Sequence, residues 1–198
     1  LVHRVLAVAA IVLGMAAAVV DARHPSSVPA GAAQPDYVSA PELATWIMRG
    51  ESSLHVFDVR SAADYERFHI PTATHGTLET LASESLPSPS RIVVYADDGP
   101  SAARAWALLR ARGYDARVLR EGLYEWIARV HEPRLADDAT VAERESFEGA
   151  AEMSRYFGGL ARSGVPRSEV PSGYWTGASR QTHAGAGALV AGLRRRGC

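Results

Sequence analysis

The chain has 198 residues, 47% of them hydrophobic, and a formal net charge of −1. This composition is globular rather than disordered, and the balanced charge excludes a basic nucleic-acid-binding surface as the main function. A single cysteine, Cys198, excludes an intrachain disulfide and a cysteine-based zinc site.

His3 and Arg4 precede an uncharged run from Val5 to Val20, which stops at Asp21. A basic start followed by such a run predicts a secretory signal peptide or a short signal anchor over residues 1–22. The run is at the low end of the ~20 residues a membrane-spanning helix needs, and the anchor is the favoured reading. The positive-inside rule then places the rest of the chain outside the cytoplasm: membrane-anchored if the segment stays, periplasmic or secreted if it is cleaved. Residues 23–36, rich in Pro, Ser, Ala and Gly, read as a flexible linker.

The folded part is expected over residues 37–130. Ser39 can cap a helix with Pro41 in its first turn, Leu43, Trp46 and Ile47 on one face, and Gly50 at its end. Leu54 to Val59 is a short apolar strand. Ser61 caps a helical turn over 62–67, and the extended segment from His69 to Ala73 leads to another short strand. A brief helix is expected over 77–81. Arg91 to Ala96 is the most apolar, β-branched strand. A helix from about Ser101 to Arg112 follows, ending at Gly113. Ala116 to Leu119 is a further strand, and Gly122 opens a closing helix to Arg129. Strands alternating with helices at this spacing imply an α/β fold: a central, mostly parallel five-stranded sheet with helices on both faces.

Residues 131–198 are expected to form a helical and irregular extension. Thr140 and Glu143 offer a capping box for a helix ending before Gly158 and Gly159. Residues 163–184, rich in Gly, Ser, Pro and Thr, read as an irregular loop. Ala184 to Arg196 can form a marginal helix whose basic end, Arg194 to Arg196, complements the helix dipole and lies beside Cys198.

Several short segments, in order, resemble the rhodanese-like family. Asp58-Val59-Arg60 with Asp64-Tyr65 is similar to its D-x-R…E-[YF] segment. His69-Ile70-Pro71-Thr72-Ala73 is similar to H-I-P-G-A, with Thr72 for Gly. Gly113-Tyr114 and Val118-Leu119 match the next helix end and strand. Gly122 to Trp126 is similar to the closing G-G-x-x-x-W, with Glu121 where the first Gly is usual. The resemblance covers about Val38 to Val130. It implies a sulfurtransferase-type fold, whose active members carry a cysteine after the central strand, in a C-x-x-G-x-[RS] loop. That thiolate attacks a sulfur donor and carries a persulfide, aided by inward-pointing amides and nearby positive charge.

In this chain the loop is Ala96-Asp97-Asp98-Gly99-Pro100-Ser101. Ala96 stands at the nucleophile position, and a methyl group can neither attack nor carry sulfur. Asp97 and Asp98 would repel an anionic donor; as acids at a helix N-terminus they are stabilising residues before they are catalytic ones. Gly99 keeps a tight turn and Ser101 can cap the helix. Asp58 and Arg60 read as a structural ion pair, and as the candidate supporting residues of the degenerate site. The expectation is a rhodanese-like pseudoenzyme acting as a binding or assembly module, with no catalytic residue, no metal and no cofactor. The alternative is a sulfur relay through Cys198 or a partner's cysteine. Expected partners are the membrane, through the N-terminal segment, and a protein of unspecified identity; nucleic acid is not expected.

Overall fold

The computed structural model describes residues 34–171 and 173–175. The apolar N-terminal run, nearly all of the linker, the 184–196 helix, Arg194 to Arg196 and Cys198 lie outside the described residues. Among the described residues no helix is long and apolar enough to cross a membrane.

Strand β1 (Tyr37–Val38) leads into α1 (Ala40–Met48), capped by Ser39, whose hydroxyl accepts the Glu42 amide at 3.4 Å. Gly50 ends that turn at a φ of +65°, where a side chain would be strained. Then follow β2 (Leu54–Asp58), α2 (Ala62–Arg67, capped by Ser61), β3 (Ala73–His75) and α3 (Leu78–Ser83). Helix α3 starts after a reciprocal box between Thr77 and Thr80. Strand β4 (Arg91–Tyr95), α4 (Gly99–Ala111), β5 (Asp115–Leu119) and α5 (Gly122–Trp126) complete the alternation. Helix α5 runs on as a π-helical turn, Ile127–His131, in place of the continuous closing helix expected.

The five strands form one sheet in the order β1-β5-β4-β2-β3, with every neighbouring pair parallel. Successive side chains on a strand alternate faces, which divides the core in two. Val56, Val93, Tyr95 and Leu119 join Leu43 of α1 and Trp126 of α5. Phe57, Ile92, Val94 and Val118 join Leu81 of α3 and Ala105, Trp106 and Leu109 of α4. Buried on both sides, β4 therefore reads as a continuous apolar run.

The described part of the C-terminal segment carries more regular structure than its composition predicts. Strand β6 (Arg134–Ala136) precedes α6 (Val141–Tyr156), which has the expected Thr140–Glu143 capping box. The stretch expected to be an irregular loop instead contributes β7 (Arg162–Val165), parallel to β6, and a 3₁₀ turn over Arg167–Glu169. Gly, Ser and Pro are poor strand residues in isolation, and here the pairing with β6 supplies the order. Val170, Tyr174 and Trp175 are buried against Ala136 and Ala150, with Phe147 packed alongside. Met153 of α6 enters the same core as Trp126, and Phe157 meets the Trp126 ring edge-on at 5.0 Å. Gly159 lies so close to the π turn that a Cβ there would sit 2.0 Å from the His131 carbonyl oxygen.

Candidate functional site

In a parallel α/β sheet, ligands approach the carboxyl ends of the strands. At that edge β4 ends in Tyr95, with Ala96 directly after it, both buried. Only Ala96, Asp97 and Asp98 separate β4 from α4, which starts at Gly99, two residues before the expected Ser101. The cap is Asp98 rather than Ser101: its Oδ1 accepts the Ser101 amide at 2.7 Å. A carboxylate both satisfies an orphan amide and complements the helix dipole, so it outcompetes a hydroxyl one turn later. The same N–H holds the Asp98 carboxyl below its ordinary range. Gly99 is part of the first turn of α4, and its Cβ position is open space; no tight turn requires a glycine there.

The later positions of this loop offer no free donor. Pro100 has no amide hydrogen. The Ser101 amide is held by the Asp98 side chain, and the Ala102 amide by the Asp98 carbonyl at 3.3 Å. The lost proline donor was legible in the sequence, since it needs only the residue type and its place in the loop.

Asp58 and Arg60 meet beside this loop. Arg60 Nε lies 3.0 and 3.1 Å from the two Asp58 carboxylate oxygens, and Nη2 lies 2.6 Å from Oδ2. Nη2 also donates to the carbonyls of Phe68 at 2.6 Å and Asp64 at 3.3 Å. This fork ties α2 to the end of β2. The Asp58 side chain is fully buried and that of Arg60 is 6% exposed. Burial works against the Arg60 charge, but the hydrogen bonds and charge of Asp58 outweigh it and raise its pKa. The remaining arm, Nη1, lies 3.8 Å from Asp97 Oδ1, while Asp97 itself is mostly exposed.

The floor of the site is tied together by hydrogen bonds and ring stacking. The Tyr95 hydroxyl accepts the Ile70 amide at 3.1 Å, and burial raises its pKa, so it is a neutral phenol. His69 stacks on Tyr65 with ring centroids 4.0 Å apart, its Nδ1 2.9 Å from the Tyr65 carbonyl oxygen. Tyr65 in turn donates to the Ala73 carbonyl at 2.9 Å. Gly122 closes the far wall at a φ of +53°; a Cβ there would lie 2.1 Å from the Ala96 carbonyl oxygen. Glu121, the non-glycine before it, is also left-handed, with φ 51°. Thr72 takes the same conformation, with φ 71°.

Ala96 through Ser101 thus stand together with Asp58 and Arg60 at one sheet edge; Cys198 lies outside the described residues. Among the described residues no group of three or more His, Cys, Asp or Glu side chains could hold a metal. Cavities of about 810 Å³ and 230 Å³ open on the C-terminal segment, and neither is lined by residues 96–101.

This parallel sheet, with a loop after β4 flanked by an Asp58–Arg60 fork and a Gly122 wall, defines a rhodanese-type α/β fold whose loop begins with alanine. Residues 39–129 match the family model described as Rhodanese-like domain, and this part of the chain is a rhodanese-like domain. Similar solved structures include the BH2092 protein from Bacillus halodurans, at 25% identity over 46% of this chain and 71% of that one, with a TM-score of 0.43. The Alr3790 protein from Anabaena sp. shares 30% identity over 45% of this chain and 74% of its own, with a TM-score of 0.42. A single-domain sulfurtransferase from Saccharomyces cerevisiae shares 14% over 48% of this chain and 91% of its own, at 0.43. A search of curated proteins returned no match.

Proposed function

We propose that this chain is a non-catalytic rhodanese-like module used for binding or assembly, held at the outer face of a membrane or exported by its N-terminal segment. One observation carries the reading: Ala96 occupies the position of the nucleophile. Sulfur transfer needs a thiolate that leaves and re-forms, and alanine supplies none. Two further features support it. Asp97 and Asp98 place negative charge where an anionic donor would approach, and Pro100 together with the Asp98 cap removes amide donors from the loop. The location rests on the basic start and uncharged run of residues 3–20.

The test is mass spectrometry of the full chain after exposure to thiosulfate, together with a thiosulfate:cyanide assay. No persulfide and no turnover are expected. Persulfide on Cys198, abolished by Cys198→Ala, would replace this reading with a sulfur relay; Cys198 beside Arg194 to Arg196 is the feature favouring that alternative. Recovery of the chain only in the soluble cytosolic fraction would overturn the proposed location.

A further inference from the structure

We propose that Glu125 is a positioning residue that acts through Arg129 to hold Tyr174, and the C-terminal core around it, against the rhodanese-like domain. The pair is a latch between two parts of the fold, and it stands apart from the loop after β4.

The first observation is how the Arg129 guanidinium is shared. Its Nη1 donates to the Tyr174 carbonyl at 2.5 Å, across 45 residues of sequence, and its central carbon lies 4.8 Å from the centroid of the Tyr174 ring. Its Nε lies 3.6 Å from Glu125 Oε1, one helical turn back along the chain. The other Glu125 oxygen, Oε2, accepts the Ala40 amide at the start of α1. The Glu125 side chain is 5% exposed and that of Arg129 is 21% exposed. A cation held this far from water depends on the opposite charge beside it. Without the Glu125 charge, Arg129 gains by turning to solvent, and turning withdraws it from Tyr174.

The second observation is the packing that Arg129 spans. Tyr174 is buried with Val170 and Trp175 against Ala136 and Ala150, a core separate from the two beneath the sheet. It also lines both cavities, of about 230 Å³ and 810 Å³. The smaller one has Tyr124, Ile127 and Ala128 on its domain side and Glu169, Pro171 and Tyr174 on the other. Open space at this contact forfeits the dispersion energy that close packing supplies, which leaves the polar bridge a larger share of the attachment. Helix α6 is attached by other means: the Ser154 hydroxyl donates to the His131 carbonyl at 2.7 Å, and Met153 enters the core of Trp126. Loss of the bridge therefore loosens Tyr174 and its neighbours while α6 and the sheet stay in place.

The experiment follows amide hydrogen exchange of the full chain at neutral pH in wild type, Glu125→Gln, Arg129→Gln and the double variant. Glutamine at 125 keeps an acceptor for the Ala40 amide and removes only the charge. The reporting amides are Val170 and Tyr174, which donate to the Arg167 and Pro171 carbonyls. Val93 and Val94 of β4 serve as the reference for unfolding of the whole domain. Both single variants should speed exchange at Val170 and Tyr174 about tenfold relative to β4, and the double variant should be no faster than Arg129→Gln alone. Three results would overturn the proposal: unchanged exchange in Glu125→Gln, acceleration only in step with β4, or additive effects in the double variant. If Arg129→Gln does not fold, Glu125→Gln decides: faster exchange at Val170 and Tyr174 with β4 unmoved supports the latch, and any other pattern overturns it.

Discussion

The backbone of Gly122 packs directly on the carbonyl of Ala96: a Cβ at Gly122 would lie 2.1 Å from that oxygen. The contact joins the start of α5 to the end of β4, so the wall of the loop depends on a missing side chain. Gly122→Ala is expected to destabilise the fold by about 2–5 kcal/mol, combining left-handed strain with overpacking. Urea denaturation measures the loss, and displaced amide shifts at residues 96–98 would locate it. An unchanged midpoint would refute the contact.

Thr72 and Glu121 are left-handed non-glycines at positions where the resembling motifs carry glycine. Both hold a backbone conformation that glycine adopts without strain. Thr72→Gly and Glu121→Gly should each stabilise the domain by about 0.5–1 kcal/mol, strain relief exceeding the added entropy of the unfolded chain. Alanine at the same positions, which keeps the strain, should give no such gain. Thermal unfolding of the four variants checks the contrast.

A thiol at position 96 should by itself give only weak sulfur transfer. In Ala96→Cys the new sulfur is followed directly by Asp97 and Asp98, and the Ser101 amide is already held by Asp98. Ala96→Cys with Asp97→Arg replaces one repelling charge by an attracting one and should transfer sulfur about tenfold faster than Ala96→Cys. Rates in the thiosulfate:cyanide assay test the order, and equal rates would remove Asp97 from the account.

Glu125 is a buried carboxylate that accepts the Ala40 amide at 3.0 Å, capping α1 from 85 residues away, and lies 3.6 Å from Arg129 Nε. Burial pushes its carboxyl above the ordinary 4.5, against the pull of the Ala40 amide and Arg129. Between 4.5 and the raised value the folded chain keeps a proton that the unfolded chain has released. Stability should therefore fall as pH rises through that window and level off above it. Glu125→Gln keeps an acceptor for Ala40 and should lack this component of the pH dependence. Urea titrations across the window compare the two slopes.

Glu143 behaves in the opposite sense. Hydrogen bonds from Arg167, at 2.7 Å to Oε1 and 3.2 Å to Oε2, and from the Thr140 amide hold its carboxyl at about 2. Its contribution is present above the ordinary 4.5 and is lost as pH falls toward 2. Carboxyl chemical shifts should titrate near that low value in wild type and move toward the ordinary range in Arg167→Gln. An unmoved midpoint would show that Arg167 does not hold this carboxylate.

The order of strands and helices, the apolar β4 and the alanine at position 96 could be read from the sequence by itself. Each depends on local chemistry: an apolar run flanked by turn residues, a serine or threonine before a helix, or the absence of sulfur at one position. The tertiary structure decided the rest. Asp98 rather than Ser101 caps α4 because the chain turns into the helix at Gly99, a choice between capping residues one turn apart that depends on where β4 stops. Glu125 caps a helix that follows a different strand, and the 163–165 stretch is a strand because β6 lies beside it. In both cases the partner is remote in sequence. Arg60 has one arm turned to the loop because Asp58 and two carbonyls hold the others, and that division of a single guanidinium among neighbours exists only in the folded chain.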